Sequence, residues 1–127
     1  MDQHGGVFAS RFVDESQYII SRGHSLSLKS IDKSKLTLST LGIPAVCHHI
    51  SQVIPHKENK YFLCSCQRFL LLVSINVASE LKLLSMTERK HFFLASGFLL
   101  ESDSLHYIAL LTNSRIISGK ISIKRII

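Results

Sequence analysis

The chain of 127 residues has no tryptophan, two prolines, three cysteines and six glycines. Without Trp, the large side chains are seven Phe and three Tyr, so any core rests mostly on Leu, Ile, Val and Phe, residues that suit strands as well as helices. No glycine-rich phosphate loop, nucleophile elbow, HExxH helix or Walker sequence occurs, which removes the usual sequence basis for nucleotide, serine or zinc-protease chemistry. Close acidic pairs are few. Asp14 with Glu15 and Glu101 with Asp103 sit in Ser-containing, turn-like stretches and are read as solvated turns. Three Cys is an odd number, and the opening MDQHGG carries an acid with no apolar run behind it, unlike a secretory signal. The expectation is reduced thiols in the cytoplasm or nucleus. No catalytic, cofactor-binding or metal-binding residue is assigned, and a non-enzymatic role is expected.

What is present is an apolar, basic composition. At 46% hydrophobic and 19% charged residues the chain is that of one globular domain with a real core. Lys and Arg outnumber Asp and Glu by 15 to 9, for a formal charge of +6. Such a balance suits approach to phosphate or other acidic surfaces. The cations are scattered, with no run longer than two, so no basic tail is expected.

The most apolar stretch, KYFLCSCQRFLLLVSI at residues 60–75, admits three readings. As a membrane span over residues 61–78 it fails. Nine favourable side chains contribute about −0.3 to −0.6 kcal/mol each, while one central arginine, Arg68, costs about +2.5 to +3.5 kcal/mol, and Gln67 and Asn76 add to the deficit. A zinc site would draw on Cys47, His48, His49, His56, Cys64 and Cys66, the ligand types that zinc prefers. Yet the cysteine pair is Cys-x-Cys rather than a wider knuckle. On a strand its two sulfurs share one face as small core groups, and the adjacent histidines point apart. The third reading is a β-hairpin, Tyr61 to Cys64 and Phe69 to Ile75, joined by Cys66-Gln67-Arg68.

The hairpin pattern recurs. QYIISRGHSLSLKSID at residues 17–32 and HYIALLTNSRIISGKIS at residues 106–122 repeat it, with Tyr18, Tyr61 and Tyr107 as reference points spaced by 43 and 46 residues. Upstream, FASRFVDESQY and LASGFLLESDSLHY also correspond. Alternation is clearest in the last copy, where Ile117, Gly119, Ile121 and Ile123 share one face and Ser118, Lys120, Ser122 and Lys124 the other. Repeats of this length built from four antiparallel strands are the blades of a β-propeller. The sequence therefore predicts an all-β fold: a partial, about three-bladed propeller in one repeat domain, with approximate blades 7–41, 50–86 and 92–123. Three blades fall short of a normal ring, so the chain is expected to be a fragment or an incomplete ring.

On Phe12, Tyr18, Ile31 and Asp32 in the first copy, and Ile75-Asn76 and Ile121-Ser122 in the others, the pattern resembles the WD-repeat family. That resemblance implies a non-enzymatic scaffold for protein–protein interaction. Binding then falls on inter-strand turns, with Arg22, His24, Gln67, Arg68, Asn113 and Arg115 as candidate partner-binding residues. Expected partners are proteins or the missing blades. RNA, as part of a ribonucleoprotein, is the alternative that the basic balance allows, and no membrane is involved. Open strand edges favour self-association. A competing fold places a helix near residues 78–93, where Ser79 would cap good helix formers, and makes the domain α+β.

Overall fold

The computed structural model describes residues 7–32 and 36–123, and among these it is all-β. Twelve strands follow in order: β1 Val7–Phe12, β2 Gln17–Arg22, β3 Ser25–Ser30, β4 Thr37–Gly42, β5 His49–Ile50, β6 Ile54–His56, β7 Asn59–Cys66, β8 Phe69–Ile75, β9 Leu81–Glu88, β10 Phe93–Glu101, β11 Ser104–Leu111 and β12 Ile116–Ser122. They form three consecutive antiparallel meanders. The first sheet runs β1-β2-β3-β4, the second β5-β7-β8-β9 with β6 also on β7, and the third β10-β11-β12. Each is a blade in the propeller sense, the third with three strands among the described residues. The stretch proposed as a helix is instead β9, which pairs with β8 from Phe69↔Glu88 to Ile75↔Leu81. Propensity for a helix loses to a ladder whose inward residues, Leu81 and Leu83, reach the shared core.

The sheets stack face to face, and the middle one is covered on both sides. Toward the first sheet it presents Phe62, Cys64, Cys66, Leu71 and Val73, which meet Ile19, Leu26 and Leu28. Toward the third it presents Tyr61, Leu63, Leu70 and Leu72, which meet Phe98, Leu105, Tyr107 and Ala109. Double burial requires apolar residues at every position rather than every second one. That is why residues 60–75 read as one apolar run and β12 as an alternation, with Ile117, Gly119 and Ile121 half-buried and Ser118, Lys120 and Ser122 exposed. Lys124, assigned to the same alternation, lies outside the described residues.

Face by face, Tyr18 and Tyr107 both point toward the preceding position in the stack. Their counterpart in the middle sheet is Phe62, because each lies five residues before its hairpin turn at Gly23, Gln67 or Thr112. Tyr61 faces the other way, into the third sheet. The repeat is thus 44 and 45 residues, more regular than the tyrosine spacing. A shift of one residue along a strand exchanges the two faces.

Candidate functional site: two rims of opposite charge

Because every sheet is an up-and-down meander, all turns fall on two rims. One rim holds the β1–β2, β3–β4, β6–β7, β8–β9 and β10–β11 turns. It carries Asp14, Glu15, Asp32, Glu58, Glu80, Glu101 and Asp103. Here acidic turns fasten neighbouring sheets together: Lys60 Nζ lies 3.1 Å from Asp14 Oδ2, and Lys57 Nζ lies 3.1 Å from Asp103 Oδ1. His56 Nε2 approaches Asp103 at 3.4 Å. Gln17 also donates to Ser79 Oγ at 2.9 Å, across the seam between the first two sheets that Lys60 and Asp14 bridge. Asp14 accepts from the Ser16 and Gln17 amides, and the Ser16 amide bond, with help from Lys60, holds its carboxyl below the ordinary value. For Asp103, Lys57 and then His56 have the same effect.

The opposite rim holds the β2–β3, β7–β8 and β11–β12 turns and the two connectors between sheets, residues 43–48 and 89–92. All six sequence-assigned residues lie on it. Arg22 and His24 flank the first turn, Gln67 and Arg68 form the second, and Asn113 and Arg115 belong to the third; all are exposed. The structure adds Arg89, Lys90 and His91 in the second connector, also exposed. Glu88 is the one carboxylate at this rim among the described residues, and it pairs with Arg68. No ion pair occurs at Lys90 or Arg115 among the described residues.

Backbone hydrogen bonds fix this rim as a continuous surface. The His24 carbonyl accepts from Ile43 N at 3.0 Å, and in the second turn the Gln67 carbonyl accepts from Phe93 N at 2.7 Å. Arg68 O accepts from Arg89 N at 2.9 Å, and Phe92 O from Thr112 N at 3.0 Å. His48 ties the first connector to the start of β10, its Nε2–H donating to Phe93 O at 2.7 Å. In the third turn Asn113 Oδ1 accepts from the Arg115 amide at 3.1 Å, so Asn113 shapes the loop while Arg115 projects. Gln67 has a positive φ of 58°, at the position where the first sheet has Gly23 at 53°.

The separation of charge by rim is invisible along the chain. Cations at positions 22, 68, 89, 90 and 115 are scattered in sequence and gathered only by the meanders. Seven of the eight acids among the described residues fall in or beside the odd-numbered turns of the copies, but Lys33, Lys35 and Lys57 share those turns in the sequence and blur the signal.

Of the cysteine and histidine cluster, the three cysteines belong to the interior, while His48 is exposed and His49 and His56 are half-buried. Cys47, Cys64 and Cys66 are fully buried between the first two sheets, where Cys47 also donates to His49 O at 3.3 Å. Hydrogen bonds from Cys64 and Cys66 hold the Cys47 thiol below its ordinary value, while burial pushes the Cys64 thiol up and the bond to Cys47 raises Cys66. Among the described residues no group of three His, Cys, Asp or Glu side chains is arranged to hold a metal ion. His48 and His49 point apart, and His49 Nδ1 is buried without a partner. Burial, reinforced by the Arg11 charge, lowers its pKa. Arg11 itself ties β1 to β5, donating from Nε and Nη2 to Ile50 O at 3.2 and 2.9 Å.

Comparison with known proteins finds likenesses among solved structures alone. No family model and no curated protein matches the sequence. Among solved structures, Hsv2 of Kluyvelomyces marxianus is similar over 93% of this chain and 40% of its own, with 10% sequence identity and a TM-score of 0.47. The chain thus spans about two fifths of that protein's length. The assignment of propeller-like blades rests on the sheet topology described above.

Proposed function

We propose that the protein is a non-enzymatic interaction scaffold, built of WD-repeat-like blades, that holds an acidic protein segment along its basic rim. The separation of Arg22, Arg68, Arg89, Lys90 and Arg115 from the acidic turns on the far rim carries this reading. Clustered cations raise the local concentration of an anionic partner and orient its approach. Backbone bonds hold these turns in place, and their side chains are exposed to solvent, where a partner could reach them. Buried, reduced thiols accord with a cytoplasmic or nuclear setting.

RNA along the same rim is the second reading. Phe92, 44% exposed beside Lys90 and His91, would supply a stacking surface. Fluorescence anisotropy with a labelled glutamate-rich peptide and a labelled uridine-rich single strand separates the two. The scaffold reading expects the peptide to bind, and Arg68→Glu with Arg89→Glu and Arg115→Glu to weaken it by about tenfold or more, equivalent to ~1.4 kcal/mol. Tighter binding of the RNA, falling steeply with salt, would favour the second reading.

A further inference from the structure

The two outward faces of the sheet stack repeat features of the interface between the second and third sheets. In the third sheet Phe98 and Tyr107 are cross-strand partners, and both are buried against the middle sheet, at 7% and 6% exposure. The first sheet repeats this pair as Phe12 and Tyr18, also cross-strand partners, with rings edge-to-face at 6.4 Å. Among the described residues no third sheet packs on it: Phe12 is 71% exposed and Tyr18 half-buried.

The receiving half stands at the other end. In the middle sheet the surface that takes the Phe98–Tyr107 pair is made of Leu63, Leu70 and Leu72. On the corresponding face of the third sheet stand Leu99, Ile108, Leu110 and Ile116, between 38% and 71% exposed. The alternation of β10, β11 and β12 puts them on one side, across Leu99↔His106, Gly97↔Ile108 and Ala95↔Leu110. Two shallow apolar grooves run over this face. One of about 700 Å³ is lined in part by Gly97, Leu99, Ile108 and Ser118, and one of about 330 Å³ by Ala95, Leu110 and Ile116. The lack of a side chain at Gly97 leaves room beside Ile108, with no atom within 4 Å of where its Cβ would stand.

We propose that these faces bind each other in trans: the Phe12–Tyr18 face of one copy seats on the Leu99–Ile108–Ile116 face of a second copy, and the pair closes on itself through two such joints. Continuity with the interface inside the chain selects this occupant, because each joint would repeat the packing already present between the second and third sheets. Two copies of three sheets make six, within the four to eight blades over which propellers close. Two identical joints related by a two-fold axis leave no face open for further growth. The association runs through sheet faces rather than through the strand edges that the sequence pointed to.

Sedimentation equilibrium with the purified chain, and with Phe12→Asp and Ile108→Asp, tests this. Wild type is expected at twice the monomer mass and each variant at the monomer mass. An equimolar mixture of the two variants regains the doubled mass, since one joint in the mixed pair is intact. Both positions are exposed, so circular dichroism should show unchanged folding; Ile116→Asp replaces Ile108→Asp if that variant unfolds. A wild type that stays monomeric, a variant that stays dimeric, a mixture that stays monomeric, or a ladder of larger species would each overturn the closed pair. A monomeric wild type would leave blades of another polypeptide as the cover.

Discussion

The middle sheet and the third sheet share one topology but differ in how many faces they bury. The middle sheet has Tyr61 to Cys66 and Leu70 to Ile75 buried without interruption, whereas β12 alternates between exposed and half-buried residues along its length. The same hairpin therefore has two energetic roles. Between neighbours it is core, and at the end of a stack it is a half-finished interface.

Mutations that exchange these roles should differ most. Phe62→Ala, at a fully buried position, is expected to cost about 3–5 kcal/mol in urea unfolding. Ile108→Ala, on the open face of the third sheet, should stay within about 0.5 kcal/mol in dilute monomer. Equal losses would dissolve the distinction between middle and end.

Glycines sharpen it next. A Cβ at Gly119 would collide with the ring of Tyr107, which is packed against the middle sheet. Gly119→Ala should therefore cost about 1–3 kcal/mol. Gly97→Ala meets open space on the other face and should be neutral or stabilise by up to about 1 kcal/mol. The hairpin turns give a smaller contrast. Gln67 takes the left-handed conformation that Gly23 adopts without strain, so Gln67→Gly should raise the urea midpoint, by up to about 1 kcal/mol of stability.

Acid should act in two stages. The pKa of His49 is lowered from 6.5 by burial, so its protonation opposes folding as pH falls below that unfolded value. Asp14 and Asp103 are held below 3.8 in the fold. Their contribution is present above 3.8 and is lost as pH falls through the lower folded values. Thermal midpoints followed against pH should show both limbs, with His49→Gln removing the upper one. The lower limb is small, because the acidic turns are exposed and screened.

Much of the architecture was legible in the sequence. Hairpins showed as apolar runs broken at Gly23-His24 and Gln67-Arg68, and the shared face of Cys64 and Cys66 followed from the period of two. Register was harder to read. Tyr61 resembles Tyr18 and Tyr107 chemically, yet in a strand buried on both sides every position is apolar, so no alternation fixes which face a residue takes. The split of the second sheet's first strand into β5 and β6 left no apolar signature either, since Ser51 and Gln52 interrupt it. As for the site, its six residues were found as turn positions, but their common rim was not. That requires knowing which turns share an end of the sheets, information that pairing supplies and linear charge does not.

Amide hydrogen exchange on the dilute, monomeric chain tests the central claim most directly. If a middle sheet buried on both faces organises the molecule, amides of β7 and β8 should exchange slowest, near the rate of global unfolding, and those of β12 fastest among the paired strands. Uniform protection across the three sheets, or slowest exchange in β11 and β12, would contradict it.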